Sequence, residues 1–401
     1  MGYNTIVFLV ETPILKRYYN RYGIEELRQQ GFATTIYDLS PMILPIAYKT
    51  IINDLCNYEE SGFKRIFSIN EFSNALGLLN PKETLFICSM GYRWEYRKVF
   101  RVMKEKKFHF CYFMQELSPV DALTVNKGLK EKFKLDNLKS AATRRIPLRF
   151  HRVGRADFII GCGGDDIAIN AFKSIRLIEE DCPIFYFHSS NYEECLMSLS
   201  LERMISDRYC VFIDQYLPYH PDNIDAGLNL NPRQYYKEMN HLFEIIEKQY
   251  GIEVVIAAHP RSDYELHSGC YGNRKIYRNK TCRLVKDSEF VIYHFSNSFS
   301  YVAAFNKPVL VVTTKEIKRT FHDKIKNICQ LLGTSHLDLD RLDKDNIIFE
   351  EITKRLKINE TAYESYIVRY MKKNYTGVLE GERLWLQIGK FLASYPDKQN
   401  E

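Results

Sequence analysis

The sequence predicts an α/β chain of two Rossmann-like domains, and three observations carry that reading. Short apolar runs such as Ile6-Val7-Phe8-Leu9-Val10 and Val254-Val255-Ile256-Ala257-Ala258 alternate with helical patterns along most of the chain. Runs that are apolar on both faces belong to parallel sheets covered by helices. The 401 residues exceed one ordinary core and suit two domains of roughly 150–200 residues each. The strand and helix rhythm also breaks near 190–207 and then starts again.

Taken in order, the first half reads as strand Thr5–Val10, a helix from Leu15 to Gln30, strand Ala33–Leu39, a helix over Ala47–Tyr58 and strand Phe67–Ile69. Strand Thr84–Ser89, helix Glu95–Lys106, and strands Phe108–Met114, Asp157–Gly161 and Phe185–Phe187 follow. The first turn is Val10-Glu11-Thr12-Pro13 and not G-x-G-x-x-G, so nothing there favours a dinucleotide. Beyond the break, strand Tyr209–Ile213 precedes a helix with Asn231 as N-cap, Pro232 at its first position and Gly251 as its stop. Strands Val254–Ala258, Phe290–Tyr293 and Pro308–Val312 come next, with a helix from Ser298, and the tail carries helical patterns over Tyr363–Lys373 and Gly381–Tyr395. The expected division is 1–190 as the first domain, 191–207 as a linker, 208–375 as the second domain, and 376–401 as a terminal helix that crosses back to the first.

Hydrophobic residues make up 45% and charged residues 26%, the balance of a globular protein. The net charge of +6, from 56 basic and 50 acidic residues, is too mild for a nucleic-acid binder but fits a protein that meets anions. The apolar runs are too short to span a membrane, and Met1-Gly2-Tyr3-Asn4 lacks a basic n-region, so a cytoplasmic protein is expected. The ten cysteines form no C-x-x-C pair and read as reduced core residues, with neither a zinc site nor a disulfide framework. Between Leu117 and Gly154 the rhythm fades and basic residues gather: Lys127, Lys130, Lys132, Lys134, Lys139, Arg144, Arg145, Arg149 and Arg152, with Arg155 just beyond. That stretch is either a solvated excursion or an edge that meets anionic lipid at the inner membrane or an acidic glycan.

The chemistry concentrates at two strand ends of the second domain. One delivers His259, Pro260 and Arg261, the other Ser296, Asn297 and Ser298 ahead of a helical pattern. Carboxyl ends of parallel strands are where such sheets bind ligands, and a helix starting at Ser298 would turn free N–H groups toward an anion. Together they read as a phosphate site. The plainer readings are a strand terminator for His-Pro, an N-cap for Ser-Asn-Ser, an Arg261 pair with Asp263, a core position for His294 and a rigid turn at His220. A reaction that activates a hydroxyl needs a general base, and three carboxylates follow strands closely: Glu116 first, then Glu11 and Asp214.

Val10-Glu11-Thr12-Pro13, the segment Asp214-Gln215-Tyr216-Leu217-Pro218-Tyr219-His220-Pro221-Asp222, His259-Pro260 and Ser296-Asn297-Ser298 together resemble bacterial GT-B glycosyltransferases of the sialyltransferase and polysialyltransferase type. In that family a His-Pro motif and a Ser-Ser or Ser-Thr motif hold the CMP of a CMP-activated nonulosonic acid; here the second motif is Ser-Asn-Ser. The resemblance implies two Rossmann-like domains facing a central cleft, an acceptor domain followed by a donor domain. It also implies an inverting transfer of a sialic-acid-like sugar or Kdo to a lipopolysaccharide or capsule precursor, a glycan or glycolipid. A CMP leaving group has no β-phosphate for a divalent metal to bridge, so His259, the two serine hydroxyls and the helix N-terminus are expected to take the metal's place, with no cofactor required. Three other readings share the layout or the partners: a CDP-glycerol or CDP-ribitol phosphate transferase of the teichoic-acid type, a UDP-sugar epimerase, and a non-catalytic assembly scaffold.

Overall fold

The computed structural model describes residues 2–14, 19–50, 62–117, 150–173, 177–220, 223–224, 227–296, 298–341 and 345–395. The chain divides into two compact units, one of Met1–Ser190 with Gly381–Glu401, the other of Asn191–Glu380.

The first unit holds a seven-stranded parallel sheet of β1 (Thr5–Val10), β2 (Ala33–Asp38), β3 (Phe63–Arg65), β4 (Thr84–Cys88), β5 (His109–Phe113), β6 (Ile159–Cys162) and β7 (Ile184–Phe187). Its order is β3-β2-β1-β4-β5-β6-β7, so the direction of winding reverses between β1 and β4. Strand β1 is central and buried from Ile6 to Val10, as its unbroken apolar run requires. On one face Ile6, Phe8, Val10, Ile36 and Phe113 form a core that also contains Trp385, Ile388 and Leu392 of the helix Leu384–Ser394. The Trp385 ring lies 5.2 Å from Phe8 and 5.0 Å from Phe113, and its indole N–H donates to the Arg21 carbonyl at 2.8 Å.

The second unit holds a six-stranded parallel sheet of β8 (Tyr209–Ile213), β9 (Glu253–Ala258), β10 (Ile276–Arg278), β11 (Val291–Tyr293), β12 (Val309–Thr313) and β13 (His336–Asp338), in the order β10-β9-β8-β11-β12-β13. The winding reverses between β8 and β11. The helix Pro232–Tyr250 is capped as its sequence requires, with the Asn231 side chain accepting from Gln234 N–H and Gly251 left-handed at φ 60°.

Several boundaries differ from the sequence expectation. Ser190–Leu199 is helical and lies in the second unit apart from its first residue, which replaces the expected linker over 191–207. Residues 67–69 are not a strand. Ser68 caps the helix Ile69–Gly77 by accepting from Glu71 N–H, while the Glu71 carboxylate accepts from Phe67 N–H. Ser68-Ile69-Asn70-Glu71 has the capping-box spacing, with the Glu71 carboxylate reaching one residue further back, to the N–H ahead of the N-cap. The stretch expected to be one helix to Gln30 is broken at Gly23, which is left-handed at φ 54°. Most of the basic segment lies outside the described residues; Arg152 is exposed and Arg155 pairs with Glu179 at 3.2 Å. The described cysteines are free, and all but Cys270 are buried. Among the described residues, no helix is long and apolar enough to cross a membrane.

Candidate functional site

The carboxyl edge of the second sheet is organised by Asp214, the first residue past β8. The register pairs Ile213 with Ala257 and Phe212 with Ile292, so Asp214 stands level with Ala258 and with His294. Asp214 is 3% exposed, and its carboxylate accepts four hydrogen bonds. Tyr264 Oη donates at 2.6 Å, Tyr271 Oη at 2.9 Å, Tyr216 N–H at 2.9 Å and His259 N–H at 3.4 Å. Burial raises the Asp214 pKa above the ordinary aspartate range, against the pull of these donors. The bond to Tyr216 N–H closes an Asx turn, and Tyr216 is left-handed at φ 53°. A buried carboxylate with both oxygens engaged cannot take a proton from a substrate hydroxyl. Asp214 is thus an anchor, and the expectation of a base there is corrected.

His259 follows β9 on a tight turn. Pro260 occupies the second turn position, and Ser262 N–H and Oγ both donate to the His259 carbonyl, at 2.9 and 2.7 Å. His259 Nδ1 accepts from Arg261 N–H at 3.2 Å. Because that nitrogen is an acceptor, the neutral ring carries its proton on Nε2 and presents it as a donor. The His220 ring, 7% exposed, meets His259 edge to face at 4.7 Å. Further along the same turn, Tyr219 stacks on His267 at 3.8 Å, within 1° of parallel. Arg261 and Pro260 are exposed.

Between β8 and β11, where the winding reverses, Gln215 reaches across the gap. Its Oε1 accepts from Phe295 N–H at 3.0 Å. Beyond β11, Ser296 Oγ accepts from Ser298 N–H at 3.2 Å, and Tyr293 Oη donates to the Ser296 carbonyl. Ser298 occupies the N-cap position of Phe299–Ala304, but its hydroxyl makes no capping bond. The helix is six residues long, so its dipole is a weaker anion trap than the sequence pattern promised. Asn297 lies outside the described residues. His294 is a core histidine: Nδ1 donates to the Val312 carbonyl at 2.7 Å, Nε2 accepts from Tyr235 Oη at 3.0 Å, and burial pulls its pKa down to about 4. Neighbouring parallel strands lie about 4.8 Å apart, so the ends of β9 and β11 are separated by about 10 Å across β8. His259, Gln215, Ser296 and Ser298 share that stretch of edge.

In the first unit the remaining carboxylates separate. Glu116, past β5, is half-buried and pairs with Arg21 at 3.6 Å. Glu11, past β1, lies where the winding reverses, and its Oε2 is buried with no hydrogen-bond partner. The Tyr96 hydroxyl lies beside it; burial and this carboxylate hold the phenol protonated, with a pKa pushed up to about 12. The same carboxylate is a hydrogen-bond partner of the Tyr96 hydroxyl, so it neighbours a neutral donor and, among the described residues, not a cation. The geometry therefore puts Glu11 ahead of Glu116, the reverse of the sequence ranking.

Over its whole length the chain is similar to the UDP-GlcNAc 2-epimerase of Methanocaldococcus jannaschii, with a TM-score of 0.51, 13% identity, and coverage of 97% of this chain and 99% of that one. It is equally similar to the wall teichoic acid polymerase TagF, in a histidine-to-asparagine variant, with a TM-score of 0.51, 9% identity, and coverage of 97% and 88%. The fold is GT-B. No protein-family model matches the chain, and neither does any curated protein searched. Identities this low establish the GT-B architecture and nothing finer. The sequence names His259, Ser296 and Ser298 as candidates and includes Gln215 only in the Asp214–Asp222 segment with no role of its own, although a glutamine directly after a buried strand and an Asx-forming aspartate is a visible signal. Among the described residues, no group of three or more His, Cys, Asp or Glu is placed to hold a metal ion.

Proposed function

We propose that the chain is an inverting glycosyltransferase that moves a sialic-acid-like sugar from a CMP donor to a glycan acceptor without a metal. The observation that carries this reading is the donor-lined edge of the second sheet, where His259 Nε2–H and the Ser296 and Ser298 hydroxyls gather at the reversal of winding. Such donors suit the phosphate of a departing CMP, whose charge grows as the anomeric C–O bond breaks. In the balanced step the acceptor oxygen forms the new bond to the anomeric carbon, the old C–O bond's electron pair leaves on CMP, and a carboxylate takes the acceptor's proton. Glu11 is proposed for that role, since its carboxylate neighbours a hydroxyl, that of Tyr96, and, among the described residues, no cation, whereas Glu116 is tied to Arg21.

The test is CMP release from a CMP-sugar with acceptor in the presence of EDTA. His259→Ala should lower kcat by about 100- to 1000-fold, the loss of one oxyanion-type donor. Glu11→Gln should lower turnover by a similar or larger factor while leaving CMP affinity unchanged. Activity that the chelator abolishes would count against the metal-free step. The second reading follows from the shared architecture: a UDP-sugar epimerase or a CDP-polyol phosphate transferase. Thermal shifts with CMP, CDP and UDP separate the three, and stabilisation by UDP alone would favour the epimerase.

A further inference from the structure

We propose that Gln215 is a specificity-determining residue of this site, a fixed donor to the phosphate of the bound nucleotide. The inference rests on the reading of the site as a nucleotide site and names a residue that reading does not need. Three constraints fix the side chain. Its backbone sits between Asp214, locked by four donors, and Tyr216, held left-handed by the Asx turn. Its oxygen is taken by Phe295 N–H, since a backbone amide can only donate. The amide nitrogen, with two N–H groups, is then turned away from that strand end, and among the described residues Gln215 makes no other hydrogen bond.

The surroundings decide what those N–H groups meet. The nearby acid, Asp214, has both oxygens consumed by its own donors. His259 contributes an Nε2–H, and Ser296 Oγ already accepts from Ser298 N–H, which leaves its proton to give. With the Asp214 carboxylate satisfied from within and Asp263, exposed on the turn after His259, accepting from Leu266 N–H, the donors beside Gln215 select an oxyanion and reject a donor-bearing group. In a nucleotide that oxyanion is the phosphate. Gln215 thereby discriminates nucleotide from nucleoside, bridging the two strands between which the winding reverses.

Isothermal titration of the full chain with CMP and with cytidine tests this. Gln215→Glu keeps an acceptor for Phe295 N–H and the shape of the side chain but presents a negative oxygen to the ligand. CMP affinity should fall about 10- to 100-fold, the range for one hydrogen bond to a charged group, with cytidine affinity and the unfolding midpoint unchanged. Gln215→Met removes the donor without adding charge, at the cost of the acceptor for Phe295 N–H, and should give a smaller fall for CMP alone; an unchanged melting midpoint qualifies it as the second variant. Retained CMP affinity in both variants, or equal losses for CMP and cytidine, overturns the assignment. CMP binding that His259→Ala abolishes but both Gln215 variants spare sinks this inference alone. A wild-type chain that binds neither CMP nor cytidine sinks the nucleotide reading together with it.

Discussion

At the residue scale, the carboxyl edge of the second sheet is held in order by buried polar groups that bond to one another. Asp214 ties together the ends of β8 and β9 and the turn that holds Tyr264 and Tyr271. Replacing it with asparagine puts an amide N–H against a donor that the carboxylate now satisfies. Asp214→Asn should therefore lower stability by about 1.5–3 kcal/mol, measured as a shift in the denaturant midpoint at unchanged slope. His294 makes a pH prediction. Its folded pKa, about 4, is below the ordinary value of 6.5, so the unfolded chain binds the proton first as pH falls. The stability it contributes is complete above pH 6.5 and is lost progressively between 6.5 and about 4, by on the order of 3 kcal/mol. Melting curves across that window should flatten in His294→Gln, whose amide can replace both hydrogen bonds.

At the scale of elements, burial decides what the sequence discloses. Strands β1, β8, β9 and β12 are sealed on both faces and stand out as unbroken apolar runs. The edge strands β10 and β13 have three residues each, and Ile276 and Arg278 of β10 are exposed, so neither carries a pattern to read. The helix Lys315–Leu332 shows its start in Thr314, whose side chain accepts from Ile317 N–H, a signal the strand-centred reading passed over. The site follows the same logic. His259 and the serines end apolar runs and stand out as candidates, whereas Gln215 is visible after its strand but its partner Phe295, 80 residues on, is not. Glu11 and Glu116 look alike in sequence, and only the fold tells that one lies beside the Tyr96 hydroxyl and the other pairs with Arg21. A turn gives the element-scale test. Gly23 is left-handed, and a Cβ there would come within 1.9 Å of the Trp385 ring. Gly23→Ala should cost about 2–4 kcal/mol, from backbone strain plus the displaced indole, and the loss should register in Trp fluorescence.

At the scale of the whole molecule, the first unit is discontinuous: its core includes residues from both ends of the chain. Trp385, Ile388 and Leu392 are buried against strands that begin at Thr5, and each such side chain contributes about 1.5–3 kcal/mol. Deleting Gly381–Glu401 should therefore unfold the first unit and leave the second protected. Limited proteolysis should cut rapidly between residues 2 and 190 while a fragment over 191–380 survives. Equal cleavage of both would contradict the division. The arrangement also sets a timetable during synthesis. Residues 2–190 are translated before the helix Leu384–Ser394 that completes their core, so the trough of Phe8, Phe113 and Phe158 stays uncovered until that helix is made. Nascent chains should thus depend on holding chaperones until that helix emerges, and stalling translation just short of it should yield an aggregating product.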